Sequence, residues 1–438
     1  MPNRKTKLFV FQILLTILNT IIEATICYPR DHLGHHESFC LLTLCRGPPN
    51  QFWSISSDQM RTLARQGHDN ILERIWNIGA VRVVDATNLP PIQQTKSNDV
   101  VLINNANHGS AHLGMYFAFP AISITQLLKL NVVGIRHRLS NFDELAVDVP
   151  WSAEFVPLLH NVLLHVRTGT PTSNVHIHGF HHSEMSCSRS LLFHQVDMRG
   201  RFGSIEVLPR WYINQEIAKQ TAQLVVQHTA LTIRNDERQM LRIDPCQVVV
   251  ILRESNLQGT STNRRITNVD QVLKSLQTWI QGLPGVPVQQ KYHVCRIYFD
   301  NTSLGFQVQV IRRASIVIAV HGAALTNVAW MRPCTILLEL FPTLVWNHGM
   351  FKGLCSDVGC IYRQMSSTTM NREGCIKPYL EQYGEHAMKR ECTYDLDCSG
   401  CSRDDSIQVD VDEMVLKLAG AWEERRERER NEVCNTKV

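Results

Sequence analysis

The chain has 438 residues, of which 44% are hydrophobic and 19% are charged, and its net charge is +4. This is the composition of a globular protein that is long enough for two domains. The charge is small for this length, and no RNP, zinc-finger or basic-zipper motif is present, so we expect no nucleic acid among the partners.

The N-terminus predicts targeting to the secretory pathway. Residues 1–7 carry basic side chains, and residues 8–22 form an apolar run without a charge. Such a run suits a secretory signal peptide, and its length is also close to the roughly 20 residues of a membrane-spanning helix. Residues 1–26 are therefore either a cleaved signal peptide or the anchor of a single-pass type II membrane protein. Both alternatives place the rest of the chain in the lumen of the endoplasmic reticulum or Golgi apparatus.

The cysteine content agrees with a lumenal protein. Fourteen cysteines are present, and disulfides persist in that compartment. The C-x-x-C pair formed by Cys398 and Cys401 has two interpretations, a zinc site or a disulfide, and no second matching pair selects zinc. Asn301 begins an Asn-Thr-Ser sequon and is a predicted glycosylation site.

The first half of the chain is less regular than the second. Residues 27–50 contain Pro, His and Cys without a period and are predicted to form a stem or linker. Residues 51–230 are assigned to an N-terminal α/β lobe. Its predicted elements are buried strands at 81–86 and 99–106, helices at 121–130 and 211–231, and a segment at 154–166 that periodicity leaves open between helix and strand.

Residues 231–438 are assigned to a C-terminal α/β lobe with a Cys-rich tail. Asn268 and Gln271 resemble a capping box at the start of a helix. The alternation of strands and helices indicates a parallel, doubly wound sheet. The predicted strands cover 247–253, 292–299, 315–320 and 335–341, and the other predicted helices cover 304–314, 324–331 and 409–432.

One end of this predicted sheet is suited to an anionic ligand. His321 directly follows the strand 315–320, and ligands of open parallel sheets bind beyond the carboxyl ends of the strands. Gly322, Ala323 and Ala324 are small enough to let a ligand approach the backbone closely. The next helix directs its N-terminal N–H groups to the same place. A diphosphate would fit such a turn.

Other side chains are predicted near this end, and each has a structural alternative. Arg253 is the last residue of the neighbouring strand, and Arg264 and Arg265 lie at the start of the next helix. Guanidinium groups suit phosphate oxygens. Glu339, near the end of a strand, is a candidate for contacts with sugar hydroxyls. The alternatives are a surface ion pair for Arg253, a buried salt bridge for Glu339, a structural role for the strand-end histidine and, for Thr326 and Asn327, bonds to local backbone.

The segment HGAALTNVAWMRPCTILLELFP, residues 321–342, resembles the signature of glycosyltransferase family 61. Upstream, the segments around Arg253, Arg265 and Asn268 are similar to the strand-Arg and Arg-x-x-Asn parts of the same family. The resemblance covers residues 246–365. The matching positions in the signature are His321, Gly322, Ala323, Leu325, Thr326, Asn327, Pro333, Glu339 and Leu340.

Two departures from the family pattern concern the acidic and acceptor-side residues. The family usually has Glu or Asp before Gln in the helix that precedes the signature, where this chain has Phe306 and Gln307. An N-terminal Asn-x-x-His segment aligns either with His112, which no Asp follows, or with the segment that contains His182. His112 and His182 are therefore alternative candidates for the catalytic base.

The resemblance implies a GT-B-type architecture of two Rossmann-like lobes, with the acceptor on the N-terminal lobe and a UDP-sugar on the C-terminal lobe. It implies an inverting transferase that moves GlcNAc or a pentose such as xylose to a hydroxyl of a protein or polysaccharide, without a cofactor or metal. The alternative is a catalytically inactive member that binds a nucleotide sugar or glycan. The nucleotide-sugar site would comprise Arg253, Arg265, His321, Gly322, Ala323, Ala324, Thr326, Asn327 and Glu339.

Overall fold

The computed structural model describes 212, 215–230, 233–243, 246–252, 264–283, 292–299, 302–343, 349–368, 376–384 and 406–434, and the backbone of seven strands before residue 195. The predicted N-terminal apolar run, the segments 121–130 and 154–166, and the Cys398–Cys401 pair lie outside the described residues.

The seven strands before residue 195 belong to one mixed sheet in the order β4-β3-β2-β7-β5-β6, with β1 paired to β2. β2 is antiparallel to its neighbours, whereas the pairs β3/β4, β5/β6 and β5/β7 are parallel. The sequence predicted β4 and β5. The bounds are β1 Ile26–Pro29, β2 Ser38–Arg46, β3 Trp53–Ser56, β4 Val81–Val84, β5 Asp99–Asn104, β6 Asn131–His137 and β7 Ser186–His194.

This mixed sheet differs from the parallel sheet that a Rossmann-like N-terminal lobe implies. β1 and β2 fall mostly within residues 27–50, which the sequence predicted to be a stem or linker. Short connections join β2 to β1 and to β3 along the chain. Such connections suit antiparallel neighbours, since a parallel pair needs a long crossover.

The second half of the chain contains an all-parallel five-stranded sheet in the order β12-β11-β10-β8-β9. Its strands are β8 Cys246–Leu252, β9 His293–Tyr298, β10 Ile316–Val320, β11 Ile336–Phe341 and β12 Ile361–Ser366. Its helices are α1 Gln215–Thr229, α2 Asn235–Ile243, α3 Val269–Gln281, α4 Leu304–Arg313, α5 Met350–Val358 and α6 Val411–Arg430, with a 3₁₀ segment at Ala323–Trp330. This confirms the predicted parallel α/β fold in this part of the chain.

The central strands are buried on both faces, which explains their nearly continuous apolar sequences. Every residue of β10 and β11 is buried. One face packs against α1, α4, the 3₁₀ segment and α5, and the other packs against α3 and α6. The result is a three-layer α/β/α domain. Because helices cover both faces of the central strands, a ligand can reach these strands at their ends.

The strand order predicts a ligand crevice between β8 and β10. β9 lies on one side of β8, whereas β10, β11 and β12 follow on the other. In doubly wound sheets the ligand binds at the carboxyl ends of the strands where the order reverses in this way. His321 is the first residue after β10 and therefore lies at this edge.

The predicted helix at 324–331 is a 3₁₀ segment instead of an α-helix. Its first and last turns close with i to i+3 bonds, from Leu325 N to Gly322 O at 3.0 Å and from Met331 N to Val328 O at 3.0 Å. Thr326, Asn327 and Val328 are modest helix formers. A tight connection between two buried strands is therefore favoured over a long regular helix.

The predicted capping box does not form. Asn268 precedes α3, but its side chain makes no cap bond. Its amide bonds both backbone groups of Val409, with Nδ2 to O at 2.8 Å and N to Oδ1 at 3.0 Å. Asn268 thus joins the start of α3 to the segment that leads into α6.

Three disulfides link neighbouring elements of the parallel domain. Cys246–Cys295 joins β8 to β9, Cys334–Cys434 joins the start of β11 to the end of α6, and Cys355–Cys360 closes the turn between α5 and β12. The last helix, predicted from its amphipathic pattern, is therefore covalently fixed to the domain. Within the described residues no helix is long and apolar enough to span a membrane.

Candidate functional site

His321 is fixed through its backbone at the carboxyl edge of the sheet. Its N–H donates to the Leu340 carbonyl at 2.8 Å, which extends the pairing of β10 with β11. Its carbonyl accepts a bond of 2.7 Å from Nη1 of Arg264. The side chain is 12% exposed. His321 is therefore held in place but still accessible from the crevice.

Two aromatic rings fix the plane of the His321 imidazole. Phe341, the last residue of β11, stacks on it with a centroid distance of 5.0 Å and an interplanar angle of 23°. Phe351 of α5 meets it edge-on at 5.6 Å. Both phenylalanines are 2% exposed. The imidazole therefore has little freedom to rotate.

Glu339 lies beneath His321 because side chains alternate along β11. Leu338 and Leu340 pack on the α3/α6 side, so Glu339 projects to the opposite face, as Leu337 does. Its Oε1 is 2.5 Å from His321 Nδ1, and its Oε2 accepts a bond of 2.6 Å from the Tyr362 hydroxyl. The carboxylate is 1% exposed. Both oxygens are bonded inside the protein, and the contact of Glu339 with sugar hydroxyls stays a prediction.

Tyr362 completes this group of side chains and was not among the residues predicted from the sequence. Burial raises the pKa of its hydroxyl well above the usual value, and the charge and hydrogen bond of Glu339 raise it further. The hydroxyl therefore stays protonated and always donates. Along β12 the polar residues Tyr362, Arg363 and Gln364 follow one another, so no alternating pattern in the sequence singled out Tyr362. We call His321, Glu339 and Tyr362 the histidine cluster.

The arginine that reaches His321 is Arg264, the neighbour of Arg265, which the sequence predicted for the nucleotide-sugar site. Arg264 is 7% exposed and donates to the His321 carbonyl, while the Arg265 side chain is exposed. The Arg265 carbonyl instead accepts from the Ile407 N–H at 2.7 Å, as part of a short bridge to the chain before α6. Arg253 lies outside the described residues, as do His112, His182 and Asn301.

Thr326 and Asn327 face the core and not the crevice. They are 0% and 1% exposed. Asn327 Nδ2 donates to Gln307 Oε1 at 3.0 Å and to the Ala324 carbonyl at 3.1 Å. These bonds attach the 3₁₀ segment to α4. Asn327 therefore has a packing role, and its place in the nucleotide-sugar site stays a prediction.

The turn after His321 does not require glycine for its conformation. Gly322 has φ 160° and ψ −175°, an extended backbone that other residues also adopt. Gly322 and Ala324 are half-buried at the start of the 3₁₀ segment. Within the described residues, no group of three or more His, Cys, Asp and Glu side chains is arranged to hold a metal ion.

Open parallel sheets bind their ligands at this edge, and the fold alone does not name the ligand. The comparison with protein families is more specific. Residues 151–338 match the family model described as Glycosyltransferase 61. The class of protein is therefore a glycosyltransferase. The matched segment belongs to glycosyltransferase family 61, which confirms the resemblance over that segment. A search of curated proteins finds no significant match.

The matched segment covers less than half of the chain and has informative limits. It begins at residue 151, whereas the resemblance noted in the sequence starts at residue 246. The matched segment therefore includes β7, α1 and α2. It includes His321 and the 3₁₀ segment. It ends at residue 338, one residue before Glu339. Two of the three members of the histidine cluster therefore lie beyond the matched segment.

Proposed function

We propose that the chain is an inverting glycosyltransferase that moves GlcNAc or a pentose such as xylose from a UDP-sugar to a hydroxyl of a protein or polysaccharide. The observation that carries this proposal is the position of His321. It lies at the carboxyl end of β10, beside the reversal of strand order between β8 and β10, within a segment that matches glycosyltransferase family 61.

In this proposal the five-stranded domain binds the donor, and its diphosphate lies at the turn after β10. The start of the 3₁₀ segment supplies the positive end of a peptide dipole. Arg264 adds positive charge through its bond to the His321 carbonyl, and Arg253 and Arg265 are the further cationic candidates. The residues before α1 would form the second lobe of a GT-B-type pair and bind the acceptor.

The reaction is a single displacement. The acceptor oxygen attacks the anomeric carbon on the face opposite the diphosphate, the bond from this carbon to the phosphate oxygen breaks, and its electron pair leaves with UDP. The hydroxyl proton passes to a base, for which His112 and His182 remain the candidates. Positive groups fixed around the diphosphate stabilise the charge that develops on it. In this scheme no cofactor or metal is required.

We propose the lumen of the endoplasmic reticulum or Golgi apparatus as the location. The three disulfides of the parallel domain support it, because such bonds are rare in the cytosol. The apolar run near the N-terminus would then be a signal peptide or a membrane anchor. N-terminal sequencing of the protein isolated from secretory cells distinguishes the two, since only a cleaved signal gives a start after this run.

The chain departs from the family pattern at Phe306 and Gln307, which are buried residues of α4. Phe306 is 4% exposed and belongs to the core, and Gln307 accepts a bond from Asn327. A change of residue type there alters the support of the 3₁₀ segment and does not remove a group from the crevice. An inactive protein that only binds a nucleotide sugar is therefore an outcome of the following test and not a second proposal.

The test combines binding and turnover for the full-length chain purified from a secretory host. UDP and at least one UDP-sugar should raise the melting temperature, because a ligand at about 100 times its Kd stabilises the folded state by about 2.7 kcal/mol. One UDP-sugar should also be hydrolysed or transferred. Stabilisation by UDP without turnover of any donor would favour the binding-only protein, and no stabilisation by any nucleotide would refute the site.

A matched pair of arginine variants localises the binding. Arg253→Ala should weaken UDP binding. Arg426→Ala should not, because Arg426 lies in α6 and bonds Glu423 on the surface. Equal effects of the two substitutions would remove Arg253 from the donor site.

A further inference from the structure

We propose that Glu339 and Tyr362 are positioning residues that hold the His321 ring so that its Nε2 donates a hydrogen bond to the donor diphosphate. This inference rests on the proposed function, since it assumes a nucleotide diphosphate in the crevice. It assigns a task to Glu339 that differs from sugar recognition. It also assigns a role to Tyr362, a residue outside the segment that matches the family.

The hydrogen bonds of the histidine cluster set the direction of the ring. Glu339 Oε1 is hydrogen-bonded to Nδ1 of His321, and the Tyr362 hydroxyl donates to the other carboxylate oxygen. The carboxylate therefore cannot turn away from the histidine without breaking the bond to the tyrosine. Nε2 is the ring nitrogen that remains, and it bonds no residue of the described part of the chain.

Packing confines the ring as strictly as the hydrogen bonds do. Phe341 stacks on one side and Phe351 meets it from another. The backbone of His321 is paired on both sides, through its N–H to Leu340 and through its carbonyl to Arg264. A group held in this manner before the ligand arrives needs little reorganisation when charge develops on the leaving group.

Donation from both ring nitrogens at once requires the protonated imidazole. Glu339 accepts from both partners and is almost completely buried, and a buried carboxylate without a compensating charge is costly. The tyrosine hydroxyl is neutral and cannot compensate. The imidazolium would balance the charge of Glu339 and leave Nε2–H for the diphosphate.

The position of His321 argues against the role of catalytic base. The histidine stands at the start of the 3₁₀ segment, where the peptide dipole attracts an anion. The acceptor approaches the sugar from the opposite side in a single displacement. A group that contacts the diphosphate is therefore on the wrong side to remove the acceptor proton.

The test measures how strongly the full-length protein prefers UDP over UMP, by calorimetric titration of each nucleotide. The two ligands share the nucleoside and the first phosphate, so the ratio of their Kd values reports contacts to the second phosphate. A hydrogen bond to a charged group contributes about 1.5–3 kcal/mol, which corresponds to a ratio of about 10 to 150. We expect the wild type to show a preference of this size.

Two substitutions at His321 separate its two nitrogens. Asn places an amide near the position of Nδ1, so His321→Asn keeps the bond to Glu339 but has no atom at Nε2. Gln places an amide N–H near Nε2. We expect His321→Asn to lose at least about tenfold of the UDP preference, the value of one charge-assisted hydrogen bond, and His321→Gln to retain part of it.

The positioning residues and a control complete the series. Glu339→Gln should lower the UDP preference about tenfold and Tyr362→Phe about threefold, since each loosens the ring without removing it. Glu424→Gln is the matched control. Glu424 bonds Arg363, the neighbour of Tyr362 in β12, and its substitution should leave the preference unchanged. Melting curves confirm that each variant is folded.

Three results would overturn the inference. An unchanged UDP preference in His321→Asn with turnover abolished would move His321 to the acceptor side. Equal loss of UDP and UMP binding in all cluster variants would reduce the cluster to structural support. A wild type that binds neither nucleotide would refute the proposed function together with this inference, whereas the first two results leave the nucleotide site intact.

Discussion

Two buried glutamates of the parallel domain have similar surroundings but different partners. Glu237 is 0% exposed, and its two carboxylate oxygens accept four bonds, from the backbone and side chain of Arg234 and of Ser303, at 2.6–2.9 Å. Glu339 is 1% exposed and accepts from His321 and Tyr362. Both carboxylates are satisfied, so burial alone does not separate a structural acid from a functional one.

The difference lies in what the partners do besides bonding the acid. Glu237 is in the first turn of α2, and Ser303 is the N-cap of α4, so the carboxylate joins two helix starts, where a negative charge is favourable. Arg234 and Ser303 each bond this carboxylate through the backbone and the side chain, so their role is structural. His321 bonds Glu339 through one nitrogen, and its second nitrogen bonds none of the described residues. A buried acid points to function when its partner has a further polar atom at an accessible site.

The largest expected effect is on stability, at Glu237. Glu237→Ala leaves the buried N–H of Ser303 without an acceptor and should lower the free energy of unfolding by about 3–5 kcal/mol, the usual cost of removing one partner of a buried ionic group. Urea denaturation followed by circular dichroism measures this loss. UDP binding per folded molecule should be unchanged.

The exposed ion pair of Lys417 and Glu413 in α6 is a control for this prediction. Glu413→Ala should cost no more than about 1 kcal/mol, as exposed pairs do. A loss at Glu237 as small as that at Glu413 would show that Glu237 does not join α2 to α4.

The next effect is on turnover, at Glu339. Glu339→Gln keeps the shape of the side chain and one acceptor, so unfolding should become easier by only about 1–2 kcal/mol. The turnover number should fall about 10- to 100-fold, because the replacement removes the charged acceptor that holds Nδ1 of His321. Initial rates with the best UDP-sugar, expressed per folded molecule, measure this effect.

Glu237 is expected to affect stability and Glu339 turnover. Either of two results would contradict this difference. A large loss of stability with unchanged turnover at Glu339 would make it a structural acid like Glu237. A loss of turnover in Glu237→Ala that exceeds its loss of folded protein would connect α2 to the reaction.

Much of the parallel domain could be predicted from sequence because its signals are local. The apolar runs of β8, β10 and β11 are long enough to be buried strands, and the residue that follows such a strand must lie at the carboxyl edge of the sheet. His321 was therefore recognisable before any contact was known. The same local reasoning failed for the segment at 323–330, where Thr326 and Asn327 favour a tight 3₁₀ connection.

The partners of His321 could not be predicted because they depend on side-chain direction and strand pairing. Tyr362 reaches Glu339 only because β12 pairs with β11 in a register that sets Leu337 opposite Tyr362 and Glu339 opposite Gln364. The choice between Arg264 and Arg265 depends on which of two adjacent side chains turns inward in an irregular segment. Neither fact leaves a periodic pattern in the sequence.

A smaller effect concerns acid stability and again separates the two acids. Burial raises the pKa of Glu237, but the hydrogen bonds from Ser303 and Arg234 outweigh it and leave the pKa below the ordinary value of 4.5. An acid with a lowered folded pKa binds fewer protons when folded, so its contribution to stability is present above the unfolded pKa and is lost as the pH falls through the folded pKa. The stability advantage of the wild type over Glu237→Gln should therefore shrink below about pH 4.5.

Denaturation of both proteins at a series of pH values between 7 and 3 measures this advantage. Glu413→Gln, at the exposed pair, provides the matched control, and its difference from the wild type should stay small throughout. A difference between wild type and Glu237→Gln that grows as the pH falls would contradict the direction of the shift.

The smallest effect is expected at a third carboxylate, which tests whether proximity to Tyr362 matters by itself. Glu424 of α6 accepts a bond of 2.7 Å from Arg363, the residue next to Tyr362 in β12, on the other face of the sheet. Both side chains are about one-third exposed, and such a pair contributes about 0–1 kcal/mol. Glu424→Gln should thus change neither the unfolding free energy by more than about 1 kcal/mol nor the turnover number. A fall in turnover comparable to that of Glu339→Gln would mean that β12 acts through its backbone position, and that the hydroxyl of Tyr362 is not what holds the histidine.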